Sequence, residues 1–192
     1  NVLFFNTRFF AGLTSDEEKL RRDVVKHPEL KEYRRGGTRQ NNVLPVWAAF
    51  SYFEMGTIVM LYSYLRGDLR KEVLNYTYPG NNYKKETTKQ MDTWLDAIRN
   101  LRNYCAHHSM LAGMTSSVVI PDNRDSSDVL PDNTNLYSRL YALKKILPQK
   151  DGDMLAEELD KLIWKTKLDI YKMNILPTNW RALYNKILSL HG

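Results

Sequence analysis

The sequence contains little cysteine, glycine or proline: one cysteine, nine glycines and seven prolines among 192 residues. A single thiol excludes a disulfide framework and is typical of proteins from reducing compartments, so we expect a cytoplasmic protein. The modest glycine and proline contents exclude collagen-like and low-complexity chains. The sequence also lacks the internal repeat that would indicate a solenoid.

The composition is that of one ordinary domain with a slightly basic surface. Hydrophobic residues make up 43% of the chain and charged residues 26%, which is enough apolar material for a core. The formal net charge is +6. This charge favours a polyanionic partner without requiring one.

One hydrophobic run raises the question of a membrane. Residues 43–65 contain a single formal charge, Glu54, and the run is long enough in principle to cross a bilayer. Because a carboxylate at the centre of a bilayer is costly, we expect no membrane contact and predict a helix buried in a bundle. Pro45 suits the first turn of this helix, which should reach Leu65 or continue with a kink to Leu74.

The remaining patterns are also helical, and together they predict an all-α bundle. We divide the chain into residues 1–42, an N-terminal helical segment and basic loop left from a longer N-terminal region, and residues 43–192, a helical domain. The later predicted helices run from Thr87 or Thr88 to about Cys105, from Leu136 to Leu147, from Met154 to Tyr171, and from Asn179 to Leu190.

Two irregular segments separate these helices. In the loop of residues 33–42, Arg34, Arg35 and Arg39 could follow the phosphates of RNA, although such basic loops are more often merely solvated. Residues 112–134 form a long insertion after the helix that ends near Cys105. Its two short apolar runs predict a small hairpin.

Helical spacing also predicts which side chains are buried. The tryptophans Trp47, Trp94, Trp164 and Trp180 occupy helical positions and are expected in the core, whereas Lys144 and Lys145 are interpreted as solvated surface. The helix that ends near Cys105 should bury one apolar stripe, made of Met91, Trp94, Leu95, Ile98, Leu101 and Cys105.

The end of that helix carries the residues with the clearest chemistry. It reads Arg102-Asn103-Tyr104-Cys105-Ala106-His107-His108. On an ideal helix, Arg102 and His107 are separated by a turn of about 140° and a rise of about 7.5 Å. Since the two side chains do not share one stripe, a second copy of the segment would satisfy the geometry better. We therefore expect a homodimer in which two arginines and two histidines line one cleft.

Arginine and histidine together suit RNA cleavage without a metal or other cofactor. Arginine is a permanent planar cation that complements phosphate, and imidazole exchanges protons near neutral pH. One imidazole would take the proton of a ribose 2′-OH as the oxygen attacks the adjacent phosphate. Another would protonate the leaving 5′-oxygen, while the guanidinium stabilises the crowded phosphate. Asn103 would bond the phosphate or orient the histidine.

The segment resembles the ribonuclease motif of the Abi-like abortive-infection family, a branch of the HEPN superfamily. That motif is an arginine, a polar residue, three further residues and a histidine, often followed by a second histidine. Two flanking blocks agree with the family: Leu44–Trp47 with Gly56 and Thr57 downstream, and Met173–Trp180. The sequence departs from the pattern at Ser51, where members often carry glutamate, and Glu54 lies on nearly the same helical face.

The resemblance implies a HEPN-like bundle, metal-independent endoribonuclease activity and defence against phage, in some relatives with a bound noncoding RNA. It assigns the catalytic roles to Arg102, Asn103 and His107. His108 is interpreted as a neighbour or an RNA contact, and Glu54 as a supporting group that could pair with Arg102. Tyr104 could stack on a base.

Other interpretations stay open. The protein could be an RNA-binding module whose arginine and histidine are latent, or a toxin silenced by a partner. The two histidines could simply interact with exposed carbonyls at the helix end. A metal site built from Cys105 and His108 would have only two ligands, and we expect none.

Overall fold

The computed structural model describes residue 50 and residues 53–80, 85–121, 128–167 and 169–191. Within these residues the fold is all-α, as the sequence predicts, with six helices and no β-strand. The helices are α1 (Met55–Tyr64), α2 (Gly67–Thr77), α3 (Lys85–Ala106), α4 (Leu136–Ile146), α5 (Gln149–Thr166) and α6 (Trp180–Asn185). The chain forms two compact units, Asn1–Arg70 and Lys71–Gly192.

The first unit contains α1, and here the prediction of one long helix from Pro45 is wrong. Glu54, the residue before α1, is extended, with φ −61° and ψ 148°, and Leu65, the residue after α1, is extended as well, with φ −60° and ψ 147°. The Glu54 carbonyl accepts the first hydrogen bonds of α1 from the amides of Thr57 and Ile58. The apolar run is thus divided by backbone geometry, and Glu54 is exposed at the start of a helix rather than enclosed in the middle of one.

None of the helices that the structure describes combines the length and the apolar character that a bilayer crossing requires.

Helix α4 is the centre of the second unit. It packs against α3 most extensively and also contacts α5 and α6. The Asn135 side chain begins the helix by accepting a hydrogen bond from the Ser138 amide at 3.1 Å, and Pro148 follows directly after its end. The predicted bounds of this helix are therefore confirmed. Eight of its side chains are buried, namely Tyr137, Ser138, Arg139, Leu140, Tyr141, Ala142, Lys144 and Lys145.

Two of those buried side chains are lysines, which corrects the prediction that Lys144 and Lys145 are solvated. The Lys144 ammonium forms an ion pair with Asp153 of α5 at 2.8 Å and lies 5.3 Å from the centre of the Tyr184 ring. The Lys145 ammonium donates a hydrogen bond to the Leu188 carbonyl at 3.0 Å. A buried cation is tolerated only with such partners, because desolvation of an unpaired ammonium is costly.

The other predicted elements differ from the structure at their ends. Helix α5 begins directly after Pro148 rather than at Met154, and it ends at Thr166 because Lys167 adopts a left-handed conformation with φ 55°. Helix α6 is shorter than the predicted segment to Leu190. The predicted hairpin is wrong, since the described residues of 112–134 form no strand. A single hydrogen bond instead joins the Ile120 amide to the Asn133 carbonyl at 3.1 Å.

Gly152 of α5 faces the buried Lys144 side chain, and this contact leads to the first prediction. A Cβ added at Gly152 would lie 2.7 Å from Cδ of Lys144. Because Lys144 is fully buried, its side chain has no room to move aside. We expect Gly152→Ala to lower the free energy of unfolding by about 1–3 kcal/mol, the usual cost of overpacking, as measured in urea. Gly67→Ala is the control, since nothing lies within 4 Å of a Cβ there. Equal stability of both variants would contradict the packing argument.

The ion pair of Lys144 with Asp153 predicts a dependence of stability on pH. The hydrogen bond from Lys144 lowers the pKa of the Asp153 carboxyl below its ordinary value. This carboxylate therefore stabilises the fold above the unfolded-state pKa of about 3.9, and the contribution is lost as the pH falls through the lower folded-state pKa. Between pH 7 and pH 3, wild-type protein should lose more stability in urea than Asp153→Asn does. The exposed Asp151 of the same helix provides the control, Asp151→Asn, whose acid sensitivity should match wild type.

Candidate functional site

Helix α3 has one buried face and one solvent-exposed face. Met91, Trp94 and Ile98 are buried, which confirms three of the six residues of the predicted stripe, and Ala97 beside them is buried as well, whereas Leu95 is half-buried. Further along, Leu101 borders an apolar cavity of about 360 Å³ together with leucines and isoleucines of α4 and α5. Arg102, one residue later, is exposed. The rotation of the helix thus places the guanidinium on the side turned away from the core.

Cys105 departs from the predicted stripe. It borders the same apolar cavity as Leu101, but its side chain is exposed. The reason is its position in the last turn of α3, which extends beyond the packed part of the helix. The predicted burial of this thiol is therefore wrong.

Arg102 and Asn103 are in contact with each other. Nη1 of Arg102 donates a hydrogen bond to Oδ1 of the half-buried Asn103 at 3.1 Å. The neighbouring Arg99, by contrast, is held by the Asp96 carboxylate, with Nε to Oδ1 at 2.8 Å. In the part of the chain that the structure describes, no carboxylate pairs with Arg102, so its charge is available to an anion from solution.

The two histidines lie at the end of α3, and both are exposed. The His107 amide continues the helical pattern by donating to the Asn103 carbonyl at 3.0 Å. The His108 amide then donates to the Cys105 carbonyl at 3.2 Å, and the Ser109 amide donates to the Tyr104 carbonyl at 2.9 Å. This pair of bonds is a Schellman motif, which satisfies the last carbonyls of a helix.

The Schellman motif requires a left-handed residue, and here that residue is His108, with φ 51°. Glycine is the usual residue at this position because it has no Cβ. A residue with a Cβ carries a cost of roughly 1–2 kcal/mol in this conformation. Residues 105–110 are all exposed, so α3 ends in a short segment that stands in solvent.

Arg139 anchors α3 from the core side, a role that sequence reasoning missed. Its buried guanidinium donates to the Val118 carbonyl at 2.5 Å, to Ser138 Oγ at 2.6 Å and, more weakly, to Asn100 Oδ1 at 3.4 Å. Burial lowers the pKa of this guanidinium, an effect that the Asp132 and Asp96 carboxylates oppose. One side chain of α4 thereby ties the insertion to the helix that carries Arg102. The available signal was that Leu136, three residues before Arg139, and Ala142, three residues after it, are apolar and share its helical face.

The other predicted site residues are Tyr104, Glu54 and the three arginines of the loop of residues 33–42. Tyr104 is half-buried rather than exposed, and Glu54 belongs to the other compact unit. Arg34, Arg35 and Arg39 lie outside the described residues. Within the described residues, no group of three or more His, Cys, Asp or Glu side chains is placed to hold a metal ion.

Comparison with known proteins gives one match. A family model described as Abi-like protein matches residues 6–112, which is more than half of the chain. The match contains the segment Arg102–His108 and ends before α4. No curated protein and no solved structure matches the chain.

The hydrogen bonds of Arg139 predict a local effect on stability. Arg139→Lys keeps the charge but removes the forked set of donors, so at least one charge-assisted hydrogen bond is lost. We expect the free energy of unfolding to fall by about 1.5–3 kcal/mol. Amide hydrogen exchange of residues 116–120 should become faster. Arg99→Lys is the control, because a partly exposed pair with Asp96 is worth only about 0–1 kcal/mol. Unchanged exchange in the insertion would contradict the anchoring role.

Proposed function

The chain belongs to the Abi-like protein family, and on this premise we propose that it is an endoribonuclease that cleaves RNA through attack of a ribose 2′-OH. Membership of the family indicates a role in abortive infection, a form of defence against phage. The single observation that carries the nuclease proposal is the exposed end of α3. There Arg102, which has no carboxylate partner among the described residues, lies a few residues from the exposed His107.

The proposed reaction uses the chemistry of these side chains. The neutral His107 imidazole takes the proton of the 2′-OH, and the 2′-oxygen forms a bond to the adjacent phosphorus. The bond from phosphorus to the 5′-oxygen breaks, and that oxygen receives a proton from a second imidazole. The products are a 2′,3′-cyclic phosphate and a 5′-hydroxyl. Arg102 stabilises the charge that develops on the phosphate, and no metal is needed for any of these steps.

Asn103 supports this proposal in one of its two predicted roles. Its side-chain oxygen accepts a hydrogen bond from Arg102, which restrains an otherwise flexible arginine. We assign Asn103 to the positioning of the guanidinium. The family resemblance extends the proposal to a HEPN-like bundle over residues 43–192, to a homodimer that joins two such helix ends, and to an associated noncoding RNA.

Cleavage assays of two alanine variants test the proposed function. The wild-type protein should cut a labelled RNA oligonucleotide in EDTA and leave 2′,3′-cyclic phosphate ends. Arg102→Ala and His107→Ala should be at least about 100-fold slower, since each removes a group that acts in the transition state. Their melting temperatures should stay near that of wild type, because both side chains are exposed.

The control for this assay is Lys89→Ala, an exposed cation in the first half of the same helix, which should retain activity. A DNA oligonucleotide of the same sequence should not be cut, since it lacks the 2′-OH. Equal cleavage of DNA would rule out the proposed chemistry. RNA that is bound but never cut, with the same affinity for both alanine variants, would instead identify an RNA-binding module.

A further inference from the structure

His108 occupies a left-handed backbone position that glycine usually fills. Three residues other than glycine have positive φ in the described chain: His108, Lys167 and Asn174. Asparagine and histidine adopt this conformation several-fold more often than most residues with a Cβ, although each does so at a cost that glycine avoids. His108 and Lys167 both follow the ends of helices, where glycine would be favoured.

The His108 imidazole makes no stabilising contact with the described part of the fold. The ring is exposed, and among the described residues it makes no hydrogen bond, ion pair or ring contact. His191 shows the contrast, because its ring packs edge-on against Tyr78 with centroids 4.5 Å apart. A strained position occupied by a side chain without a structural role is typical of functional sites.

The proposed reaction needs a second group that can donate a proton. The reaction proposed above takes one proton from the 2′-oxygen and gives another to the 5′-oxygen. Arg102 is permanently charged and the Asn103 amide does not exchange protons near neutral pH. At the exposed end of α3, His107 and His108 are the two groups whose type ordinarily titrates near neutrality. In a single copy of this chain, two adjacent imidazoles could therefore perform both proton transfers, one as the base and the other as the acid.

We propose that His108 is the general acid of the proposed ribonuclease reaction. This inference rests on the proposed function, and it assigns the second imidazole to the same chain rather than to a second copy. His107 in its neutral form accepts the 2′-OH proton, and the 2′-oxygen bonds to phosphorus. As the bond from phosphorus to the 5′-oxygen breaks, the His108 imidazolium gives its proton to that oxygen. The left-handed backbone lies at His108 itself, directly after His107.

A change of the leaving atom tests this role directly. Sulfur leaves as a thiolate without help from an acid, because a thiol has an ordinary pKa of about 8.5, far below that of an alcohol. The position at which wild-type protein cuts the RNA oligonucleotide is mapped first. The assay then compares this oligonucleotide with a second one of the same sequence, in which sulfur replaces the 5′-bridging oxygen at that position. His108→Gly and His108→Asn should be about 100-fold or more slower on the oxygen substrate. On the sulfur substrate both should come within about tenfold of wild type.

Two controls separate chemistry from folding. His107→Ala should be slow on both substrates, since the general base is needed with either leaving atom. Lys167→Gly relieves the same kind of backbone strain at the end of α5, far along the chain from the proposed site. It should raise the melting temperature by about 2–4 °C, as His108→Gly should, yet cleave like wild type.

The outcomes are distinct. Wild-type rates for both His108 variants on the oxygen substrate would overturn the assignment of His108 while the nuclease proposal stands, with the second imidazole then coming from another copy. Slow cleavage of both substrates by the His108 variants would make His108 an RNA contact and would also overturn the assignment. Failure of the wild-type protein to cut either substrate would overturn the proposed function, and this assignment with it.

Discussion

The burial of three cations along α4 is the constraint on which the rest of the described fold depends. Arg139, Lys144 and Lys145 all lie in the core, where an unpaired charge would cost several kcal/mol. Each finds its partner in a different part of the chain. Arg139 donates to the insertion at Val118, Lys144 to α5 at Asp153, and Lys145 to the C-terminal segment at Leu188. The cations are satisfied together only when all three segments are in place, so the charges couple the folding of the insertion, α5 and the C-terminal segment.

This arrangement determines how the candidate site is supported. Helix α3 packs along α4, and the Lys145 ammonium lies 5.6 Å from the centre of the buried Trp94 ring of α3. The Arg139 guanidinium reaches Asn100 near the other end of the same face. These contacts with α4 hold the buried face of the helix, while Arg102 and His107 are exposed to solvent at its end. A rigid element with exposed functional groups is the usual way to present a charge at a defined position.

The sequence predicts the parts of this structure that depend on local signals. Helix α4 was predictable because Asn135 caps its start and Pro148 follows its end, and the buried stripe of α3 was predictable from helical spacing. The burial of Lys144 was not, because its partner Asp153 comes from another helix and lysine alone indicates a surface. The interruption at Glu54 was missed because neither glycine nor proline marks it. The left-handed conformation of His108 was not predicted for the same reason, since glycine is the residue that normally indicates this conformation at a helix end.

The family match and the fold also divide the chain differently. The match covers residues 6–112 and thus includes the whole of α3 with its exposed end, but it stops before α4. Within the second compact unit, the face of α3 that carries Trp94 and Ile98 is buried, and α3 packs against α4. A solvent-exposed apolar face of this kind is unfavourable in water. Helix α4, which lies outside the matched residues, therefore covers the buried side of the helix that carries Arg102 and leads to the two histidines. The exposed end of α3 and the buried cations of α4 therefore differ in the expected cost of substitution, because exposed side chains are usually replaced at little cost to stability, whereas breaking a buried charge pair is strongly destabilising.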